Sequence, residues 1–376
     1  MSRRGSGVCP ARKRSVIGVS ARGGLMALLL LLTLGLVPAV FGAQPDPGPD
    51  PESAGGLRQA DLGECALELG GVIEDCQLTY RVLGDRASDG GNVVVFPSWY
   101  GGTTESLIQS KLIGPGMLAD TNRWQVIAIE AFGNGLSSSP SNSERQAGEA
   151  FPRFTIGDMV AAQYRLLTEQ LNLDSVHAVV GVSMGGFQAL EWAVRHPGFS
   201  RRIAAIEGTP WPTAFDLLLW QTWYRISDVY RGDPASLHLA SELMIRLDAL
   251  ALWTPGHFAG MVAPAELDEF MKDFTPEPSV GSLFDRRSQT AAVMGHDIRR
   301  GLSDPRTQLR ERIQAEVLQV VFAGDHMVNP APSQELGRWL EAEVRVVDSG
   351  CGHMGPSAEC AYDEVVAAVQ AFLGRP

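Results

Sequence analysis

Ser183 lies in Gly181-Val182-Ser183-Met184-Gly185, between the apolar run His177-Ala178-Val179-Val180 and the helix-patterned stretch Gly186-Phe187-Gln188-Ala189-Leu190-Glu191-Trp192-Ala193. A buried strand that runs through a sharp turn straight into a helix is the unit of a covered, parallel sheet. Flanking glycines permit such a turn and lift the serine hydroxyl above the sheet edge. The turn also aims the next backbone N–H, that of Met184, at the place where an oxyanion would form. The pentapeptide alone is a weak signal; its context carries the reading.

Other short apolar runs repeat the theme. Asn92–Phe96, Trp124–Ile129, Val176–Gly181, Arg202–Ile206, Val317–Phe322 and Val344–Val347 read as buried strands. Asp158–Leu171, Phe187–Val194 and Ala361–Leu373 carry helical spacing. Strands without polar alternation, separated by helices, predict an α/β fold with a mostly parallel sheet covered on both faces. Between Ile206 and Val317 the strands stop. From Trp211 to about Leu302 the pattern is helical and holds Trp211, Trp220, Trp223 and Trp253. This segment, residues 211–305, is expected to be a helical lid inserted into a core of residues 63–210 and 306–376.

The chain opens with six basic residues, Arg3 to Arg22, and no acidic one, followed by an apolar stretch from Leu25 to about Val37 and small residues at Ala39, Gly42 and Ala43. That order reads as a secretory signal over residues 1–43, with an N-terminal membrane anchor as the alternative. Gln44–Leu62, with proline at 45, 47, 49 and 51, is expected to be an extended linker. Of the 31 basic residues, six leave with the leader, and the remaining 25 stand against 43 acidic ones. Such an acidic surface excludes nucleic acid and anionic membrane as expected partners.

Cysteine usage agrees with export. After the leader four cysteines remain, in two close pairs, and each pair is expected to form a disulfide. With Gly70-Gly71 as a two-residue turn, Cys65 falls directly opposite Cys76 in a hydrogen-bonded pair, where Cα atoms are about 5.5 Å apart. Cys351 and Cys360 bracket His353, so a bridge there would pin that loop.

A serine hydroxyl becomes a good nucleophile when a histidine takes its proton and a buried carboxylate orients that histidine. Asp325 follows the strand Val317–Phe322, and His353 follows the strand Val344–Val347. Both therefore sit in loops beyond strand ends, in the chain order Ser, Asp, His. Asp348 is the alternative acid, and His296, beside Asp297 in the lid, is expected to make a structural hydrogen bond. The loop Pro97-Ser98-Trp99-Tyr100-Gly101-Gly102-Thr103 follows the first core strand and makes the Trp99 N–H the candidate second oxyanion donor, beside Met184. No metal-ligand spacing, phosphate-cradling loop or dinucleotide fingerprint appears, so neither metal nor cofactor is expected.

The stretches Gly181–Ala193 and Gly133-Asn134-Gly135-Leu136-Ser137-Ser138-Ser139-Pro140-Ser141 resemble the homoserine O-acetyltransferase branch of the α/β-hydrolases. The hairpin Leu69–Gly84 and Gly352-His353 are similar too. The resemblance spans most of residues 65–373 and is weakest in the lid. It implies an α/β-hydrolase core with a helical lid, a Ser183–Asp325–His353 triad, an acyl-serine intermediate formed from a small-molecule acyl substrate, and a homodimer through the lid. The chain departs from the branch in lacking the arginine-bearing lid stretch that its transferases use, and an exported enzyme lacks acetyl-CoA. Hydrolysis of a small ester or thioester is therefore the expected chemistry. Homoserine O-acetyltransferase activity and a catalytically silent binding protein are the alternatives.

Overall fold

A computed structural model describes residues 55–356 and 360–375. The expected leader and most of the expected linker lie outside these residues. Eight strands form one sheet: β1 (Arg58–Asp61), β2 (Gln77–Leu83), β3 (Val93–Pro97), β4 (Gln125–Ile129), β5 (Val176–Val182), β6 (Ser200–Ile206), β7 (Glu316–Phe322) and β8 (Glu343–Val347), in the order β1-β2-β4-β3-β5-β6-β7-β8. β1 and β2 are antiparallel additions, and from β4 to β8 every pairing is parallel.

The absence of polar alternation in these strands has a direct cause. In β3, Val93 and Val95 pack into one apolar cluster, while Val94 and Phe96 pack into another on the opposite face. β4 divides in the same way, Ile127 and Ile129 against Val126 and Ala128. Successive side chains point to opposite faces, and here both faces are covered.

Around the sheet lie α1 (Thr104–Gln109), α2 (Ile156–Arg165), α3 (Met184–Arg195), α4 (Ala214–Ile226), α5 (Pro234–Leu252), α6 (Pro255–Met261), α7 (Leu267–Phe274), α8 (Val280–Met294), α9 (Pro305–Arg312), α10 (Ala331–Leu340) and α11 (Tyr362–Leu373). The excursion between β6 and β7 is helical throughout. Apart from α7, its helices start at side-chain caps; Thr213 on α4 and Ser279 on α8 each accept from the N3 backbone in a capping box. Among the described residues, no helix is long and apolar enough to cross a membrane.

Two local expectations need correction. The linker does not reach Leu62, because Arg58–Asp61 pairs with Gln77–Tyr80 as β1 and buries Ala60. Proline and acidic residues upstream obscure a strand this short. The hairpin register also differs, since Cys65 faces Ile73 and Ala66 faces Val72. The expected register would have set Glu74 opposite buried Leu67. The observed one keeps Leu67 and Ile73 inside and leaves Glu74 and Asp75 to pair with Arg145 at 3.1 and 3.4 Å. A turn at Glu74-Asp75 then returns Cys76 to Cys65, and the disulfide forms with Cα atoms 5.6 Å apart. Cys351 and Cys360 form the second disulfide.

Candidate active site

β5 ends at Val182, α3 begins at Met184, and Ser183 between them adopts φ 54° and ψ −123°. A non-glycine residue in that region is strained, a cost of about 1–3 kcal/mol that persists only where the surroundings enforce it. Here the Ser183 N–H donates to Ile206 O at 2.9 Å, and its carbonyl accepts from Gly186 and Phe187 at 2.8 and 3.1 Å. The neighbouring glycines serve differently from the expectation. The positive φ falls on the serine, and the glycines provide space: a Cβ on Gly181 would stand 2.0 Å from Gly185 O, and one on Gly185 would stand 2.7 Å from Pro97 O.

Three loops at the carboxyl ends of β5, β7 and β8 bring Ser183, Asp325 and His353 together. His353 Nε2 lies 2.9 Å from the Ser183 hydroxyl, and His353 Nδ1–H donates to Asp325 Oδ2 at 2.8 Å. Asp325 is fixed through its other oxygen, which accepts the N–H groups of Met327 and Val328 at 2.8 and 2.9 Å. Burial works against a charged His353, but the Asp325 carboxylate and then Glu207 outweigh it and raise its pKa to about 9.

The loop after β3 approaches the same point. Ser98 Oγ accepts the Ala131 N–H at 3.0 Å, and Ser98 O accepts from Gln188 of α3 at 3.0 Å. Gln188 thus ties the loop bearing Trp99 to the helix bearing Met184. As the first residue of α3, Met184 keeps its N–H outside the intrahelical ladder. Beneath the loop, buried Glu130 accepts from Thr104 N and Oγ1 at 2.9 and 2.6 Å and from Asn134 at 2.6 Å. His296 makes the structural contact expected of it, with Nε2 3.1 Å from Thr209 O.

Ser183 and His353 open into a cavity of about 360 Å³ whose walls include Trp99, Leu112, Val182, Leu252 and Met327. Two of its features escaped the sequence reading. Glu207, directly after β6, lies with Oε1 3.8 Å from His353 Nε2 and is almost wholly buried. A carboxylate right after an apolar strand and before glycine was its only sequence signal. On the helical side Arg286 reaches the cavity, with its guanidinium 2.6 Å from Asp248 and over the Tyr100 ring. Two residues 38 apart in an irregular helical segment left no pattern to find.

Residues 91–357 match the model of the α/β hydrolase fold family, and the chain belongs to that family. It is 36% identical over 215 residues to an ethyl acetate hydrolase of Pseudomonas veronii, covering 55% of this chain and 61% of that one. It is 34% identical over 212 residues to a homoserine O-acetyltransferase of Clavibacter michiganensis subsp. michiganensis, covering 49% and 53%. The match thus spans between half and two thirds of these relatives' lengths. The structure of an acetylester hydrolase from Corynebacterium glutamicum superposes with a TM-score of 0.77 at 25% identity, covering 87% of this chain and 98% of that one. The resemblance to homoserine O-acetyltransferases therefore stands beside an equal likeness to acetyl esterases.

Proposed function

We propose that the chain is an exported serine hydrolase that cleaves a small ester or thioester through an acyl-Ser183 intermediate. One observation carries this reading: Ser183, His353 and Asp325 form an unbroken hydrogen-bond chain whose hydroxyl end opens into an apolar cavity. Ser183 Oγ attacks the substrate carbonyl while its proton passes to His353 Nε2, and the N–H groups of Met184 and Trp99 receive the oxyanion. The intermediate collapses as the leaving oxygen takes the proton from His353. Water then repeats the sequence on the acyl-serine.

Homoserine O-acetyl transfer is the second reading, favoured by the Clavibacter relative. The Arg286–Asp248 pair weighs against it. An arginine whose charge is already met by a carboxylate is a poor receptor for an amino-acid carboxylate. Export accords with the two disulfides. A homodimer through the helical segment accords with exposed Phe215 and Leu218 on α4 and Leu239 and Leu250 on α5. Sedimentation of the purified protein should give twice the chain mass, and a monomer at micromolar concentration would exclude it.

A fluorophosphonate probe should label the wild type and leave Ser183→Ala unlabelled, and the same substitution should abolish hydrolysis of p-nitrophenyl acetate. Residual turnover in Ser183→Ala would move the nucleophile elsewhere. Absence of labelling in the wild type would favour a silent binding protein.

A further inference from the structure

The acyl-serine chemistry leaves two cavity carboxyls unused, Asp248, which is paired with Arg286, and Glu207, which stands beside His353. Glu207 Oε1 stands 3.8 Å from His353 Nε2, beyond direct hydrogen-bond distance, and its Oε2 is buried with no hydrogen-bond partner among the described residues. A buried carboxyl without a partner costs stability. The backbone adds to that cost, because Glu207 has φ 42°. The fold nonetheless holds it there, with the Glu207 N–H donating to Val320 O at 2.7 Å. Burial raises its pKa against the pull of His353, with the nearby Asp325 carboxylate adding to the rise, and its Oε1 faces the histidine.

We propose that Glu207 positions the water that attacks acyl-Ser183 and so biases the acyl-enzyme toward hydrolysis over transfer to an alcohol. The inference rests on the acyl-serine reading above. Two atoms 3.8 Å apart can both lie within hydrogen-bond distance of a single water oxygen. Such a water gives one proton to His353 Nε2 as its oxygen bonds to the acyl carbon, and its second O–H donates to Glu207 Oε1. The Ser183 Oγ–acyl bond then breaks, the proton on His353 returns to Oγ, and the carboxylic acid leaves. Glu207 neither gains nor loses a proton. An alcohol has a single O–H, which His353 must take, so it gains nothing from Glu207. The contact therefore discriminates between the two nucleophiles.

The test is product partition in water containing a fixed concentration of methanol, with p-nitrophenyl acetate and phenyl acetate as acyl donors. The wild type should give the same ratio of methyl acetate to acetate from both donors. Glu207→Leu should raise that ratio about tenfold, the worth of one hydrogen bond. Glu207→Gln, whose amide oxygen accepts in the same way, should stay within about threefold of wild type on the same reasoning. Glu207→Met, flexible and apolar, supplies the measurement if the leucine variant does not fold. An unchanged ratio in the apolar variants overturns the proposal, even if labelling of Ser183 and total turnover fall together, since that is what a merely structural role produces. A ratio in the wild type that depends on the donor overturns the shared acyl-enzyme, and this proposal with it.

Discussion

In the proposed mechanism His353 must be neutral to take the proton from Ser183, yet its surroundings favour the imidazolium. With its pKa raised to about 9, the histidine is charged over most of the neutral range and becomes a base only as pH rises. Log kcat/KM for p-nitrophenyl acetate should therefore climb with pH, along a limb centred well above 6.5. The Asp325 carboxylate is the chief cause of the raised value, so Asp325→Asn should move that limb toward acid. The same substitution should lower kcat on the order of 10⁴-fold, because the neutral amide no longer holds Nδ1–H or stabilises the imidazolium. A loss under tenfold with an unmoved limb would assign the orienting role to another acid. The identity of these residues was readable in the chain because each lies just past an apolar strand, where side chains converge on the site. Glu207 occupies the same kind of position but has no motif around it. Its closeness to the histidine arises from the pairing of β6 between β5 and β7.

At the scale of elements, the loop that carries His353 hangs on contacts outside the sheet. Thr254, capping α6, donates to Gly350 O, and His257 Nδ1 stands 3.5 Å from Cys351 Sγ. The Cys351–Cys360 disulfide closes the far side of the same loop. Closing a segment this short removes about 2–3 kcal/mol of chain entropy from alternative loop states. The double variant Cys351→Ser, Cys360→Ser should thus keep its fold, by circular dichroism, and lose kcat more than it changes KM. Unchanged kcat would show that the α5–α6 contacts suffice alone. The strands and helices of the core followed from apolar runs, since a strand covered on both faces has no polar interruptions to misread. The hairpin did not, because its register answers to which side chains must be buried. Keeping Glu74 away from Leu67 displaced the ladder from the symmetric glycine turn.

Across the whole molecule, the cavity joins two unlike halves. The sheet and its loops supply Ser183, Glu207 and His353, and the helical segment supplies Asp248, Leu252 and Arg286. The residues proposed as nucleophile and base stood out in the sequence because one chemistry would constrain them, while the helical wall left no such pattern. On the proposed function that wall would set what enters. Arg286 is compensated by Asp248, so its cation has no excess pull on an anionic substrate. Asp248→Asn would remove that compensation but keep a side chain of the same shape beside the guanidinium. The exposed charge should raise kcat/KM for an ester bearing a free carboxylate, such as monoethyl succinate, by about tenfold relative to ethyl butyrate, as expected of one charge-assisted hydrogen bond. High salt should leave most of this gain intact, since a half-buried pair is weakly screened. Stability should fall by about 1–3 kcal/mol, the cost of losing a hydrogen bond to a charged group, readable as a lower urea midpoint at unchanged slope. If selectivity stays the same while stability drops, Arg286 is a strut between α5 and α8 rather than a wall of the substrate site.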